Sequence, residues 1–387
     1  MITLKNSSRK TGLLVEPELS PERQQQAKEY ARINRYLTFF EMALSCSLLL
    51  LLVFGGFSTR LTELLNLPAV PAAVVYFVIL IAAYGVILSP LIYYRGFVLP
   101  RRYGLSNQNL AGWLSDLIKA GILALALGAA VIAAGYWFIT ILPELWWLLT
   151  WGFAVLVSLV LSILAPVIIV PLFFKMKPMA DTELKERLEK LAKRAGVEVG
   201  GIYNIEFSSK STTANAAMMG VGRTKRIVLS DTLLSQYSAS EIEVIMAHEM
   251  GHNRHRDVLR LFVFQSAILL VTFYASGMIF EALIEPLGFS AISDVSAFPL
   301  LILIFSAISL LLSAITAGYG RRVETEADSY SLELTDDPNS FISAIAKLTD
   351  QNLAEAEPSH WVELLLYDHP SYRSRVEHAK NYIAYRR

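Results

Sequence analysis

Six long apolar stretches without a charged residue, at 42–59, 64–94, 120–143, 145–174, 261–280 and 295–320, dominate the hydropathy pattern of this chain. Each is long enough to cross a bilayer core of about 30 Å as a helix, so the pattern predicts six spans. Pro71, Pro90, Pro166 and Pro171 fall in the two longest and are expected to kink or end those helices. Between and after the spans, two polar blocks, 175–257 and 321–387, carry helix and strand signals of a folded soluble unit. Asp181 suits the N-cap of a helix running to about Arg194, with Leu184, Leu188 and Leu191 on one side and Gly196 as its stop. The β-prone stretches 202–207, 212–219 and 226–229, the last two separated by Gly220 and Gly222, predict a small antiparallel sheet. Ser240 with Glu243 reads as a capping box opening the next helix.

A hydrophobic content of 54% in 387 residues is too high for an ordinary soluble enzyme and agrees with the spans. Lys and Arg orient them. Arg9, Lys10, Arg23, Lys28, Arg32 and Arg35 precede the first span, Arg95, Arg101 and Arg102 follow the second, Lys175 and Lys177 the fourth, and Arg321 and Arg322 the sixth. The other three connections are poor in positive charge, so both termini and both polar blocks are expected on the cytoplasmic side. Residues 1–36 are polar and lack the apolar core of a cleavable signal, which makes the first span an uncleaved anchor. The single Cys46 excludes an intrachain disulfide and a thiolate metal cluster. A net charge of zero gives no reason to expect nucleic acid as a partner, and a homo-oligomer is left open.

His248-Glu-Met-Gly-His252 lies on the predicted helix just ahead of the fifth span. Two imidazoles four residues apart share a helix face and can bind one zinc ion, with Glu249 placed to take a proton from the attacking water. A zinc hydrolase needs a third protein ligand. The extended metzincin motif would put a His at 258, which is Val258 here, and His255 stands too far along the helix, so a surface or supporting role is expected for it. A carboxylate from the second polar block is the better third ligand.

Arg322-Val-Glu-Thr-Glu-Ala-Asp328 resembles the second signature of the gluzincin-type integral membrane peptidases, in particular the type I CAAX prenyl endopeptidases. Thr213-Ala-Asn-Ala216, Lys225-Arg-Ile-Val-Leu-Ser-Asp-Thr-Leu-Leu234, and His369-Pro370 with Arg375 resemble further blocks of that family in the same order, and Ser20-Pro-Glu-Arg23, Tyr30 and Tyr103-Gly-Leu-Ser106 resemble its N-terminal part. The resemblance implies Glu324 as the third ligand of one zinc ion per chain, with Glu326 on another helix face. It implies His369 as an oxyanion donor and Arg375 as a stabilising charge. Asp328, one turn beyond Glu324, suits orienting a ligand histidine or pairing with an arginine. The stretch Thr213, Ala214, Asn215 and Ala216 is expected to be a sheet edge to which a peptide adds as a further strand, an ordinary buried strand being the other reading. His360 and His378 are expected at the surface.

The fold class expected from all this is a mainly α, multi-pass membrane protein with a cytoplasmic α+β zincin-like metallopeptidase domain. Its segments would be an N-terminal tail (1–36), a four-span membrane domain (37–174), the first catalytic part (175–257), spans five and six (258–320) and the second catalytic part (321–387). The implied substrate is a peptide or protein, lipidated in the prenyl-protease reading and unmodified in the alternative of a quality-control protease. Membrane lipid is the other partner. A scaffold or transporter with structural zinc is disfavoured by Glu249 and by the lack of a ladder of intramembrane charges. The seven-span eukaryotic members have one span that has no counterpart here, so a sealed intramembrane chamber is not carried over. The expected location is the inner membrane of a prokaryote or the endoplasmic reticulum of a eukaryote.

Overall fold

The computed structural model describes residues 17–220 and 225–385, so Arg9, Lys10 and Gly222 lie outside the described residues. Helix α1 (Pro21–Phe54) starts at Ser20, whose Oγ accepts the Arg23 N–H, and runs unbroken through residue 36 into the first apolar stretch. A short α2 (Phe57–Leu65) leads to α3 (Ala69–Arg102), α4 (Leu110–Ile141) and α5 (Trp146–Phe173). Pro90, Pro166 and Pro171 do not end their helices. The chain absorbs the missing N–H donors in wide π turns at Tyr94–Val98 and Ala165–Ile169 and continues.

The first polar block then builds β1 (Met176–Pro178), α6 (Thr182–Arg194), β2 (Ile202–Ile205), β3 (Ala216–Met219), β4 (Arg226–Ser230), α7 (Asp231–Gln236) and α8 (Ala239–Arg254). Helix α6 forms as the sequence predicts: Asp181 Oδ1 accepts the Leu184 N–H at 3.1 Å, Leu184, Leu188 and Leu191 are buried, and Gly196 turns away at φ +69°. The sheet, in contrast, is mixed. Its order is β1-β2-β4-β3, with β2 and β4 parallel and the two outer pairings antiparallel, because the chain leaves β2 for the far edge, forms β3 there and returns antiparallel to it as β4. Strand β3 begins only at Ala216, since Thr212 is drawn off to the α3–α4 connection, its N–H on Leu105 C=O and its hydroxyl on Gly104 C=O. The sheet packs on α6 and α8 through Leu188, Leu229, Leu233, Ile242 and Met246.

Arg256, at φ +58°, separates α8 from α9 (Asp257–Ile284), and α10 (Phe298–Thr335) returns as a single helix from the sixth apolar stretch into the second polar block. Helices α11 (Pro338–Gln351), α12 (His360–Leu366) and α13 (Tyr372–Tyr385) complete the chain. Among the described residues, six helices (α1, α3, α4, α5, α9 and α10) are long and apolar enough to span a membrane. Helix α8 lies against α10 at a close contact made at Gly251. A Cβ on Gly251 would stand 3.1 Å from Ala327 Cα and 3.2 Å from its carbonyl oxygen. The amino end of α1 is tied to the far end of the chain through Ser20 N–H to Asp350 (2.8 Å) and Arg35 to Glu355 (2.9 Å).

Candidate metal centre

The centre forms where α8 crosses α10. Its first element is well capped, but one frame earlier than expected: Ser238 and Glu241 make the capping box, while Ser240 and Glu243 both bind Arg187 of α6. Glu241 is buried, held by Lys347 Nζ at 2.7 Å and Ser343 Oγ at 2.6 Å. Burial alone would push its carboxyl up, but these partners and the Ser238 N–H outweigh that and hold it below its ordinary value.

His248 and His252 face each other, with Nε2 atoms 3.1 Å apart, and the Glu324 carboxylate on α10 lies 3.3 Å from one and 3.5 Å from the other. Each outer nitrogen has a carboxylate partner: His248 Nδ1 is 2.8 Å from Asp328, and His252 Nδ1 is 3.0 Å from Asp257. A carboxylate only accepts, so the imidazole protons sit on Nδ1 and both Nε2 lone pairs converge on one point beside an anionic oxygen. That arrangement repels itself without a cation. Ligand atoms about 2.0–2.1 Å from a tetrahedral zinc lie about 3.3–3.4 Å from one another, which the three observed separations approach. The donor set of two imidazoles and a carboxylate fits zinc.

Around these three the structure gathers most of the residues anticipated from sequence. Glu249 lines the same cavity of about 380 Å³ and receives the Met218 backbone N–H; burial pushes its carboxyl up, against the pull of the two histidines. His369 is 61% exposed, yet its Nε2 comes within 3.4 Å of Glu324, and its Nδ1 is oriented by Asp368 at 2.8 Å. Arg375 lines the cavity and is engaged by Asp328, Nε to Oδ2 at 2.8 Å and Nη2 to Oδ1 at 2.5 Å. Ala214, Asn215 and Ala216 line the cavity along the sheet edge, whereas Thr213 turns away, its C=O accepting from Thr232.

One expectation for the histidines needs correction. His378 is not a surface residue but is half-buried and hydrogen-bonded to Ser329, 2.8 Å away. His255 packs edge-on against Tyr330 and stays outside the centre, and His360 begins α12. Asp257 and Asn352 were missed. Asp257 is buried and also carries Arg260, which links it to Glu326. A hint existed in the acid standing five residues after His252. No sequence signal marks Asn352, whose partner Ala214 is 138 residues away.

A His-Glu-x-x-His helix completed by a glutamate from a second helix, with six long apolar helices, defines a membrane-embedded zinc metallopeptidase. Residues 178–383 match the model of peptidase family M48, and residues 3–175 match one described as CAAX prenyl protease N-terminal, five membrane helices. The chain belongs to peptidase family M48. It is 28% identical to the uncharacterized metalloprotease YhfN of Bacillus subtilis, over 92% of this chain and 84% of that protein. It is also 28% identical to CAAX prenyl protease 1 of Saccharomyces cerevisiae, over 76% of this chain and 69% of that one. The crystal structure of S. mikatae Ste24p shares the fold, with a TM-score of 0.82, 23% identity, and coverage of 96% of this chain and 92% of that chain. The protein is thus a multi-pass membrane metalloendopeptidase, acting on peptide or protein substrates with a metal that in this family is typically zinc.

Proposed function

We propose that the protein hydrolyses peptide bonds near the C-terminus of lipid-modified proteins at the membrane face, as the prenyl-protease names of its relatives suggest. His248, His252 and Glu324 would hold one zinc ion, with Asp328 and Asp257 fixing the two imidazoles. When bound, zinc supplies Lewis-acid polarisation of the scissile carbonyl and acidifies the attacking water to a pKa of about 7. Glu249 accepts the proton of that water and passes it to the departing amine. His369, whose Nδ1–H is held by the Asp368 carboxylate, donates from Nε2 to the developing oxyanion as an imidazolium, with both ring nitrogens carrying a proton. The backbone of Ala216, which faces away from β4, receives the peptide as an added strand. Arg375 acts through Asp328 and adds positive charge to the cavity wall.

The observation that carries the lipid part is a second cavity, of about 650 Å³, between α5, α9, α10 and α12. Val155, Phe262, Leu269 and Leu366 line it together with serine and threonine side chains, and it reaches Asp368, the neighbour of His369. Its volume falls among small-molecule sites, roughly 300–1,000 Å³. The cytoplasmic orientation rests on Arg95, Arg101, Arg102, Lys175, Arg321 and Arg322, which stand at the catalytic end of their helices, as the bond from Asn107 N–H to Lys210 C=O illustrates for the α3–α4 connection. The test is cleavage, by zinc-loaded protein in detergent, of a peptide ending in a farnesylated cysteine and three further residues, against its unlipidated twin. The lipidated peptide is expected to have the higher kcat/KM. Equal cleavage of the twin would replace this reading with that of a general membrane protease.

A further inference from the structure

The sheet edge beside the metal centre is already occupied at one end. Ser230 N–H bonds Asn215 C=O at 2.9 Å, so the alternation of an antiparallel pair turns Asn215, Ala217 and Met219 toward β4 and leaves Ala214, Ala216 and Met218 facing outward. Ala214 is not free to receive a peptide. Asn352 Oδ1 accepts its N–H at 2.9 Å and Asn352 Nδ2 donates to its C=O at 3.2 Å, the pair of bonds that a residue of an added strand would make. One residue earlier in the chain, Gln351 Nε2 covers the Thr212 C=O at 2.8 Å. At the other end of the edge, Met218 N–H is directed to Glu249.

The side chain that blocks Ala214 is held firmly in place. Asn352 caps the C-terminus of α11 with its N–H on Leu348 C=O. Leu353 follows at φ +54°, a conformation that costs a leucine energy, and is buried against Ala27, Leu99 and Tyr103. From α1, Ser20 and Gln24 grip the Asp350 carboxylate and Arg23 its carbonyl.

We infer that Asn352 closes the C-terminal side of the substrate cleft, so that bonds a few residues from a chain's C-terminus are cut in preference to internal ones. This rests on the proposed use of β3 as the substrate strand. Antiparallel addition, the more stable pairing, runs the C-terminal side of the peptide from the level of Met218, where Glu249 sits, toward Ala214. Those four steps span about 13 Å at roughly 3.3 Å per residue, which leaves room for about three residues beyond the scissile bond. A longer leaving segment has to quit the strand or displace the Asn352 amide from both its hydrogen bonds.

The test uses the full-length zinc-loaded protein and farnesylated-cysteine peptides carrying a short C-terminal extension, of three residues in one peptide and twelve in another, with the cut bond assigned by mass spectrometry. Wild type is expected to favour the short extension about tenfold in kcat/KM, the scale of two modest hydrogen bonds. Asn352→Ala should erase most of that preference. Asn352→Asp, which keeps the acceptor for the Ala214 N–H but sets an oxygen against its C=O, should reduce it with less risk to folding. Equal rates for both lengths in wild type, or an unchanged preference in both variants, would overturn the role of Asn352 while leaving the protease reading intact. No cleavage of either peptide would overturn the proposed hydrolysis of lipidated substrates, and this inference with it.

Discussion

Removing the Arg375 guanidinium should damage the protein well beyond the loss of one surface charge. Asp328 is 1% exposed and spends its two oxygens on Arg375 and on His248 Nδ1. In Arg375→Met the aliphatic stem remains, but a buried carboxylate keeps only the imidazole as partner. Breaking a buried ion pair on one side costs about 3–5 kcal/mol, and disturbing a group that orients a metal-binding histidine costs about 10–100-fold in metal affinity. Thermal unfolding in detergent, followed by intrinsic fluorescence in zinc and in chelator, measures the first effect. Competition for zinc against a chromogenic chelator measures the second. The double variant Asp328→Asn, Arg375→Met removes the stranded charge, so it should unfold at a higher temperature than Arg375→Met alone. A single variant as stable as wild type, with unchanged zinc affinity, would refute the coupling of Arg375 to the centre through Asp328.

Three further outcomes are expected. Gly251→Ala drives a methyl group against the Ala327 backbone, 3.1 Å from its Cα, and should separate α8 from α10, lowering stability by about 1–3 kcal/mol and metal affinity with it; thermal melts and zinc titration check both. Glu241 has a depressed carboxyl pKa in the folded protein, so its network stabilises the fold above the ordinary value of 4.5 and that contribution is lost as pH falls through the folded value. The melting temperature should therefore drop on acidification below about pH 4.5 by less in Glu241→Gln than in wild type, and parallel curves would contradict this. Ser238→Ala removes the cap of the metal-bearing helix and should cost about 1 kcal/mol, whereas Ser240→Ala should cost less, as urea titration of the two would reveal.

What the chain shows locally was readable from it. The six apolar helices follow from uninterrupted hydropathy, and the His248–His252 pair and Glu249 follow from helical spacing on a single element. Glu324 became readable only through a resemblance, because its helix arrives from the far side of two membrane spans. The capping box was misplaced because Ser238-Ala-Ser240-Glu241-Ile-Glu243 offers two overlapping frames. Burial decides between them: Glu241 turns inward to Lys347, while Glu243 turns outward to Arg187. The parallel pairing of β2 with β4 depends on a long excursion that no local pattern records. Asn352 and Asp257 owe their places to partners fixed by tertiary packing and by the turn at Arg256, where residue type alone says little.

The most direct test of the account compares wild type with Glu249→Gln at matched zinc content, on the farnesylated peptide. Both proteins should carry about one zinc per chain, since Glu249 stands outside the three converging donors. Turnover should fall by at least about 100-fold in the variant, the scale of a general base. A variant that keeps its zinc and still cleaves at the wild-type rate would contradict the assignment of this centre as the site of peptide hydrolysis.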